Sequence, residues 1–372
     1  MKTALVFNSG SSSLKFGLYG RAGEDVQPLL HGAVELDPAA HKSGMLQVNL
    51  QDSRQLSLEL KAGAQAEVVK TVAELLVQHG FKAPDVVGHR IVHGGPHVRS
   101  HCLISPKVMA CLEAAQIYAP LHNAAALAVV RKSGNHFKGV PQAACLDTAF
   151  HLGMPDVARV LPLPRELQTE GIERYGFHGL SCESILAQLG EVPPPRLVIA
   201  HLGNGASITA VRNGCSVDTT MALTPTSGIP MSTRCGDIDP GVLIYLLREK
   251  KYNVSRLEDL LNRRSGLLGV SRLASDMRTL RKAAGEDADA ALAVALFCQG
   301  VRKAIAAMAA VLEGIDLLVF TGGIGEHDAA LREEVCAGLA WAGLDDSKVR
   351  VLPTQEEKQM AQHALQLLDQ AR

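Results

Sequence analysis

Two hydrophobic periodicities alternate along this chain. Short runs of consecutive apolar residues, each ending in Gly, His, Asn or Asp, predict buried strands. These runs are "ALVFNSG", "VVGHRIVHGG", "QAACLDTAFH", "RLVIAHLGNG" and "LLVFTGGIG". Apolar residues at helical spacing predict helices over residues 66–79, 106–118, 123–132, 240–250, 288–312 and 328–340. Strands that alternate with helices indicate an α/β fold, in which ligands bind beyond the carboxyl ends of the strands.

Two of the strands continue through similar turns. The segments "LVFNSGSSSLKFGL" and "VIAHLGNGASITAV" each contain an apolar strand, a turn with Asn, Gly and Ser, and a second strand of alternating pattern. The first is not a P-loop, because a P-loop continues into a helix and this turn continues into a strand. One copy in each half of the chain predicts two similar halves across a nucleotide cleft, joined by a crossover over residues 151–176.

Composition narrows the class of protein. The chain has 372 residues, of which 47% are hydrophobic and 20% charged, which is typical of a globular protein with two domains. The net charge of −1 gives no electrostatic reason to expect nucleic acid or an anionic membrane as a partner. The most apolar helical stretch carries Gln299, Arg302 and Lys303 near its centre, which fits a buried helix better than a membrane span.

The chain's cysteines and its N-terminus suggest a compartment. Eight single cysteines without a CxxC pair, and an N-terminus that starts directly with a strand, lead us to expect a reduced, cytoplasmic protein.

Several polar residues at strand ends are candidates for chemistry. Asp147 follows an apolar strand and is either a helix cap or a carboxylate that orients Mg²⁺. Glu356 is either a solvated helix start or a second carboxylate of that kind. Arg90 and Arg234 stand near glycines, where a guanidinium can bind a carboxylate or phosphate with two hydrogen bonds, although both also fit surface positions.

The histidines give a weaker signal. His178 lies between Gly176 and Gly179 and is either exposed to a ligand or structural. Four histidines are spaced four residues apart, as on the metal-binding face of a helix: His89, His93, His97 and His101. Because "GGP" at residues 94–96 would break a helix there, we do not expect a metal site.

Taken together, the motifs resemble those of the acetate and propionate kinase family of short-chain carboxylate kinases. They follow the family's order along nearly the whole chain: "NSGSSSLKF", "GHRIVHGG", "PLHN", "LDTAFH", "RYGFHGLS", "HLGNGAS", "TRCGDIDPG", "TGGIGE" and "PTQEE". The resemblance implies the fold of sugar kinases, Hsp70 and actin, with two duplicated α/β domains around an ATP cleft. It predicts an N-terminal domain at residues 1–150, with helix 357–372 packing on it, and a nucleotide-binding domain at residues 151–356.

The resemblance also assigns roles to the acceptor and metal sides of the site. It implies five catalytic residues: Asp147, which acts through Mg²⁺, His178, Arg234, Arg90 and His122. Asn8 and Glu356 are the implied metal-linked residues, with Mg²⁺ as the ion and Mn²⁺ as an alternative. Arg90 is also implied to bind the substrate, in a small pocket whose expected walls are Val92, Leu121, Phe177 and Pro225.

A second set of residues matches the family's nucleotide side. Lys15 and the first turn are implied to hold the phosphates of ATP. The remaining implied contacts are His201, Leu202, Gly203, Asn204, Gly205, Asp276, Met277, Arg278, Gly323, Ile324, Gly325, Glu326 and His327. The chain departs from the family's usual pattern at His327, where Asn is common, and at Cys235, where Ser is usual. It also has "HNAAA" in place of the Pro-rich run that usually follows "LHN".

The implied reaction is the reversible transfer of a phosphoryl group from ATP to acetate, which gives acetyl phosphate and ADP. By the same resemblance we expect a homodimer, and the net charge of −1 leads us to expect no nucleic-acid or membrane partner. A propionate or butyrate kinase is an alternative that differs in pocket size. A non-catalytic, actin-like nucleotide-binding module is another, although the set of Arg90, Asp147, His178 and Arg234 argues against it, because nucleotide binding alone needs no second anion site.

Overall fold

The computed structural model describes residues 1–10, 13–23, 25–35, 44–50, 55–60 and 65–371. Its strands are β1 (Thr3–Ser9), β2 (Ser13–Ala22), β3 (Asp25–Glu35), β4 (Gly44–Leu50), β5 (Gln55–Leu60), β6 (Val86–Ile91), β7 (Cys102–Leu103), β8 (Gln142–Leu146), β9 (Arg196–Leu202), β10 (Ala206–Arg212), β11 (Cys215–Thr219), β12 (Leu317–Thr321) and β13 (Val349–Val351). Its helices are α1 (Gln65–Gln78), α2 (Pro106–Ala114), α3 (Pro120–His136), α4 (Asp156–Arg159), α5 (Arg165–Thr169), α6 (Gly179–Leu189), α7 (Pro240–Arg248), α8 (Val254–Arg263), α9 (Gly266–Ser271), α10 (Met277–Ala283), α11 (Ala288–Leu312), α12 (Gly322–His327), α13 (Ala329–Ala337) and α14 (Glu356–Gln370).

The described chain divides into two compact units. The first unit comprises Met1–Ala149, Gly179–Ser184 and Gln355–Arg372. The second unit comprises Phe150–His178 and Ile185–Thr354. The C-terminal helix α14 therefore belongs to the same unit as the N-terminal strands.

The first unit is built on one mixed sheet with helices on both faces. Its strand order is β5-β4-β3-β2-β1-β6-β8-β7, with β1, β6 and β8 parallel to one another. Side chains alternate between the faces along each strand, so Leu5 and Phe7 of β1 pack with α1 and α3. Ala4 and Val6 pack on the opposite face, against an apolar stripe of α14 that contains Met360, Ala361, Ala364, Leu365 and Leu368.

The second unit repeats the central part of this arrangement. Its strand order is β11-β10-β9-β12-β13, in which β9, β12 and β13 are parallel and β10 is antiparallel to β9. The β9–β10 hairpin followed by parallel strands corresponds to β1–β2 followed by β6 and β8 in the first unit. The internal similarity seen in the sequence is thus a repeated strand topology.

The long helix α11 lies in the core of the second unit. By length and composition, it is the one helix among the described residues that could cross a membrane. Eleven of its 25 residues are buried, and it packs against β9 and β10. Its apolar character is explained by this packing, as the polar residues near its centre suggested.

The predicted and observed helices differ mainly at their ends. The helix predicted over residues 106–118 ends at Ala114 and continues as a short 3-10 helix over Ala115–Tyr118. The next helix begins at Pro120, three residues before the predicted start, because proline fits the first turn of a helix. This earlier start places His122 and Asn123 in the first turn of α3.

Candidate functional site

Three polar side chains meet at one edge of the sheet in the first unit. Asn8 lies near the end of β1, Arg90 lies in β6, and Asp147 follows β8. Because these strands are parallel neighbours, their carboxyl ends share one edge. Arg90 donates from Nε to both carboxylate oxygens of Asp147, at 3.0 and 2.9 Å, and from Nη2 to Oδ2 at 2.6 Å.

The start of α14 adds two carboxylates to this group. Nδ2 of Asn8 donates to Oε2 of Glu356 at 2.9 Å and to Oε1 of Glu357 at 2.7 Å. Oδ1 of Asn8 accepts a hydrogen bond from Nη1 of Arg90 at 3.0 Å. That Nη1 also lies 3.9 Å from Glu356. We call Asn8, Arg90, Asp147, Glu356 and Glu357 the acidic cluster.

The acidic cluster carries excess negative charge in a buried setting. When all are ionised, its three carboxylates and one guanidinium leave two negative charges. Burial raises the pKa of Asp147 to about 6, while pairing with Arg90 opposes that rise. Burial alone would lower the pKa of Arg90, but the charge of Asp147 raises it above its ordinary value. Oxygen ligands and this charge suit a hard divalent cation.

The first Gly/Ser turn is only partly described. Ser11 and Ser12 lie outside the described residues. Lys15 is exposed in β2 and pairs with Asn8 across the β1–β2 ladder. Because directly opposite residues of antiparallel strands point to the same face, Lys15 and Asn8 share one face of the sheet.

Asn123 connects the two segments that carry Val92 and His122, which are predicted to lie on the acceptor side of the site. The buried Asn123 side chain donates to the His93 carbonyl at 2.7 Å and accepts from the His93 N–H at 3.2 Å. This pair of hydrogen bonds ties the loop after β6, which contains the buried Val92, to the first turn of α3, which contains His122. Leu121 also lies in that turn, and its side chain is outside the described part of the structure.

In the second unit, His178 has an unusual backbone conformation. It precedes α6 with φ 58° and ψ 27°, in the left-handed region of backbone conformation that residues other than glycine rarely adopt. Its ring stacks on His201, with centroids 4.1 Å apart and planes 20° from parallel. Its Nδ1 lies 3.0 Å from Oγ of Ser207. Strain of this kind concentrates at functional positions.

Arg234 approaches His178 beside a glycine. A Cβ atom at Gly205 would lie 3.1 Å from Nη1 of Arg234 and 3.2 Å from Nε2 of His178. The absence of a side chain at residue 205 therefore leaves room where a guanidinium and an imidazole converge. We call His178, His201, Ser207 and Arg234 the histidine–arginine cluster.

The loop that carries Arg234 is held by contacts with nearby backbone atoms. Nη1 of Arg234 donates to the Pro225 carbonyl at 3.1 Å and lies 3.8 Å from Sδ of Met231. Gly266 has φ +61°, and a Cβ there would lie 2.7 Å from the Arg234 carbonyl oxygen. Of the predicted pocket walls in this unit, Pro225 thus touches Arg234, and Phe177 is buried directly before His178.

Two segments predicted to contact nucleotide meet in the second unit. Gly203–Gly205 form the turn between β9 and β10, closed by a 3.0 Å hydrogen bond from the Gly203 N–H to the Gly205 carbonyl. Gly322, at the start of α12, has φ +78°, and a Cβ there would lie 2.8 Å from the Leu202 carbonyl oxygen. This close approach puts the start of α12 against the end of β9, where His201 and Leu202 lie.

Glu326 accepts hydrogen bonds from its own helix and from a distant segment. Its Oε1 accepts from the N–H of Gly322 at 3.0 Å and from the N–H of Thr354 at 3.1 Å. Gly323 and His327 are exposed, Ile324 is half-buried, and Gly325 is buried. These contacts give Glu326 a role in shaping the turn, while the exposed positions are available to a ligand.

The third nucleotide segment is held locally. Asp276 caps α10, and its Oδ1 accepts from the N–H of Thr279 at 3.0 Å. Asp276 and Arg278 are exposed, and Met277 is buried. In the part of the chain that is described, the hydrogen bonds of Asp276 and Arg278 stay within the first turns of α10.

A group with metal-ligand chemistry lies elsewhere in the first unit. His101, Glu183 and His363 place ligand atoms within 4.8 Å of one another. However, Nδ1 of His101 accepts from the Leu146 N–H at 3.0 Å, so Nε2 carries the ring proton and donates to Glu183 at 3.4 Å. A ligating histidine donates from its second nitrogen instead of accepting there. This group is therefore a hydrogen-bonded cluster. Burial raises the pKa of Glu183, but the two histidines outweigh that effect and lower the pKa to about 2.

A cavity of about 510 Å³ in the second unit lies apart from the predicted site. It opens between α11 and residues 218–237, and its charged lining residues are Arg174, Asp218, Asp237 and Lys303. None of the residues predicted from the sequence to bind substrate or nucleotide lines it. The two clusters, which contain the side chains predicted from the sequence to act in catalysis, are the better candidates for function.

Comparison with known proteins identifies the family. The chain matches the model of the Acetokinase family over residues 3–364. The chain belongs to the acetokinase family. It is 39% identical over 398 residues to an acetate kinase of Rhodopseudomonas palustris, with 99% of each chain covered. A second relative, an acetate kinase of Nostoc punctiforme, is 37% identical over 409 residues, with 98% of this chain and 99% of the relative covered.

Solved structures of acetokinases support the same fold. A propionate kinase of Francisella tularensis is 34% identical, with a TM-score of 0.90. An acetate kinase of Porphyromonas gingivalis is 33% identical, with a TM-score of 0.85. Each match covers 99% of this chain and 100% of the other. The family resemblance and the duplicated α/β fold predicted from the sequence are confirmed, while the roles of individual residues stay predictions.

Three residues that contact predicted site residues or their neighbours were not themselves predicted from the sequence. Glu357 joins the acidic cluster, Asn123 ties His93 to α3, and Ser207 contacts His178. All three lie inside the quoted motifs, directly beside or close to predicted residues. Their positions in "PTQEE", "PLHN" and "HLGNGAS" were the available signal, but their partners are distant in sequence.

Proposed function

We propose that this acetokinase-family chain transfers the γ-phosphoryl group of ATP to acetate, reversibly, to give acetyl phosphate and ADP. The observation that carries the proposal is that the predicted site residues form two groups of different charge. The acidic cluster offers oxygen atoms with net negative charge, and the histidine–arginine cluster offers hydrogen-bond donors beside a glycine. A reaction between two anions, assisted by a cation, needs both kinds of group.

The chemistry requires positioning and charge neutralisation, without a covalent nucleophile on the protein. Acetate is already ionised at neutral pH, by analogy with side-chain carboxyls of pKa about 3.9–4.3. Its oxygen can attack the γ-phosphorus in line with the leaving ADP. Negative charge on the transferred group is then stabilised by Arg234 and by His178, which converge at Gly205.

Asp147 and Glu356, with Asn8, are the residues that would hold or orient Mg²⁺. Their oxygen atoms and the cluster's net charge fit this ion, and Mn²⁺ as an alternative. When bound with ATP, the ion neutralises charge on the phosphates and orients them. We propose that Asp147 acts in this way and not as a general base, because the acceptor has no proton to lose.

Arg90 has a double part in this proposal. Its hydrogen bonds within the described residues use three of the five N–H donors, on Asp147 and Asn8. The remaining donors on Nη1 and Nη2 can bind the carboxylate of the substrate. Arg90 thus links the acceptor to the acidic cluster while it balances part of the cluster's charge.

Propionate is a second candidate acceptor. The similar Francisella tularensis protein is a propionate kinase. The size of the pocket decides between the acids, since one methylene is worth about 1–3 kcal/mol in such discrimination. Val92, Phe177 and Pro225 are buried and are the proposed walls that set this size.

The proposed activity is tested by trapping acyl phosphate with hydroxylamine. The purified chain is incubated with ATP, Mg²⁺ and carboxylates from formate to pentanoate, and the hydroxamate is measured. We expect most product with acetate and none without Mg²⁺. A maximum at propionate or butyrate would support the alternative kinases. ATP hydrolysis without any carboxylate-dependent hydroxamate would refute the proposal and favour the non-catalytic module.

A homodimer is proposed on the surface of the second unit. α7 has no buried residue, yet Val242, Ile244, Tyr245 and Leu247 are each 41–51% exposed on it. Such a run of exposed apolar side chains is typical of an interface. Light scattering should give a dimer for the parent and for a control, Lys282→Glu, and a monomer for Ile244→Glu. A monomeric parent would contradict the proposal.

A cytoplasmic location is also proposed. All eight cysteines are free thiols in the structure, which suits a reducing compartment. Fractionation of cells that produce the chain should recover it with soluble cytoplasmic markers, and recovery with the membrane fraction would contradict this location.

A further inference from the structure

Ser207 is placed to control the protonation pattern of His178. The two residues belong to the second unit, and Oγ of Ser207 lies 3.0 Å from Nδ1 of His178. Ser207 is 1% exposed and pairs with His201 across the β9–β10 ladder. The imidazole of His178 stacks on that of His201. The ring of His178 therefore contacts a pair of neighbouring residues on one face of the sheet.

The direction of the Ser207–His178 hydrogen bond follows from the environment of the hydroxyl. Within the described residues, Nδ1 of His178 is the one hydrogen-bond partner of Ser207 Oγ. If Nδ1 carried a proton, Ser207 Oγ would accept a hydrogen bond from it. The buried O–H of Ser207 would then have no acceptor among the described residues, which is unfavourable. If Ser207 donates, both atoms are satisfied. Nδ1 is then the acceptor, and the ring proton lies on Nε2.

A second serine–histidine pair in the same unit provides a reference. Nδ1 of His151 lies 2.8 Å from Oγ of Ser216, and Nε2 lies 2.9 Å from the Phe177 carbonyl oxygen. A carbonyl can only accept, so Nε2 of His151 carries a proton. Ser216 then donates to Nδ1, which is the arrangement inferred for Ser207 and His178.

We propose that Ser207 is a positioning residue that holds His178 as the Nε2–H tautomer and directs this donor toward the space beside Gly205, where the proposed function requires an anion to bind. Nε2 is the ring atom that converges with Nη1 of Arg234 at Gly205. A neutral imidazole with its proton on Nε2 donates to a phosphoryl oxygen there, whereas the other tautomer would present a lone pair to an anion. A second positive charge on His178 would also face Arg234 and the stacked ring.

The tautomer can be read in the resting protein, without reference to the proposed function. Histidine labelled with ¹⁵N gives two-bond ¹H–¹⁵N spectra that distinguish Nδ1–H, Nε2–H and the doubly protonated ring. The signals of His178 are assigned by their loss in His178→Asn. At pH 8 we expect the Nε2–H pattern, matching the His151 signals. An Nδ1–H or doubly protonated pattern would overturn the proposal.

The role of Ser207 itself is tested by substitution. In Ser207→Ala we expect loss of the fixed Nε2–H pattern. We also expect kcat to fall about ten-fold, the size for one neutral hydrogen bond, with less than a two-fold change in KM for acetate and ATP. Ser207→Thr retains the hydroxyl and should restore both. If Ser207→Ala leaves both the pattern and kcat unchanged, Ser207 does not position the ring.

A matched control comes from the same strand. Thr209→Val removes a buried hydroxyl that bonds to Thr219 at 2.9 Å and does not contact His178. We expect it to keep the parent kcat and the His178 pattern. A ten-fold loss in this control too would assign the effect to the strand and overturn the positioning role. The kinetic part rests on the proposed function. If the parent makes no hydroxamate, that function fails while the spectra still decide the tautomer.

Discussion

Arg90 and Arg234 carry the same charge in contrasting surroundings. In the first unit, Arg90 is packed between Asn8, Asp147 and Glu356. In the second unit, Arg234 is held by the Pro225 carbonyl and the sulfur of Met231, next to His178. Arg90 is part of a buried network in which carboxylates balance its charge, whereas Arg234 converges with the imidazole of His178 at Gly205, where no side chain fills the space. The difference suggests one cation-binding and one anion-binding region.

The largest expected effect separates the two arginines. Arg234→Ala should lower turnover by about 10³-fold, as for other arginines that act on transferred phosphoryl groups. Its thermal midpoint should stay closer to the parent's than that of Arg90→Ala, because it leaves in place the guanidinium that balances the buried carboxylates of the acidic cluster. Thermal unfolding and the hydroxamate assay measure both. A strongly destabilised Arg234→Ala would contradict the contrast.

Arg90→Ala should lose both turnover and stability. Removing the guanidinium leaves Asp147 and Glu356 buried without a counter-charge, which costs about 3–5 kcal/mol for a broken buried pair. Denaturant unfolding at pH 8 measures the free energy of unfolding of Arg90→Ala, for comparison with that of Arg234→Ala. Equal stability of the two variants would show that Arg90 is not needed to balance the acidic cluster.

Asp147→Asn should be inactive yet no less stable than the parent at pH 8. Because burial raises the pKa of Asp147 to about 6, folding favours the protonated form. The parent's stability therefore falls as pH rises from about 4 to about 6. Asn mimics the protonated form, so the variant should gain up to about 3 kcal/mol above pH 6 and lose this advantage near pH 4.

Thermal midpoints across this pH range test the Asp147 prediction. Residual activity of Asp147→Asn should also require more Mg²⁺. A variant with normal Mg²⁺ dependence and a missing basic limb in its pH–rate curve would show that Asp147 acts as a base.

Glu183 offers a carboxylate in the first unit that is paired with histidines instead of arginine. Its lowered pKa of about 2 means that its stabilising effect is present above about pH 4.5 and is lost as pH falls through 2. Glu183→Gln should therefore be less stable than the parent by about 2–3 kcal/mol at pH 6. The difference should shrink toward pH 2. A pH-independent difference would indicate a purely steric effect of the substitution.

The smallest expected effect concerns substrate size. Val92→Ala should raise the rate on propionate relative to acetate by roughly ten-fold, within the range of about 1–3 kcal/mol for one methylene. Relative kcat/KM values for acids of one to five carbons measure this. Identical profiles for variant and parent would remove Val92 from the pocket wall.

Local patterns explain why much of the fold was readable from the sequence. The apolar runs before Asn8, Asp147 and Gly203 specify strands, and the repeated Gly/Ser turn revealed the repeated strand topology. Asp147 and Arg90 were recognised as strand-end residues for the same reason. Helix ends were less accurate: the backbone break at Ala119, where φ is −148°, separates the 3-10 segment from α3, and the hydrophobic period does not show it.

The partners of site residues depend on contacts between distant segments. Asn8 meets Glu356 across 348 positions of sequence, and His101 meets Glu183 across 82. Nothing in the local periodicity indicates such pairs, so Arg90 was expected to bind only ligand, although the structure also pairs it with Asp147. The tautomer of His178 is likewise set by Ser207, 29 positions away.

The most direct test of the contrast between the two clusters is Mn²⁺ affinity in the presence of ADP, measured by electron paramagnetic resonance. Glu356→Gln removes one charge from the acidic cluster, and Arg234→Gln removes one from the histidine–arginine cluster. If the acidic cluster holds the cation, Glu356→Gln should weaken Mn²⁺ binding by at least ten-fold, while Arg234→Gln should leave it within two-fold of the parent. Unchanged affinity in Glu356→Gln, or an equal loss in both variants, would contradict the account.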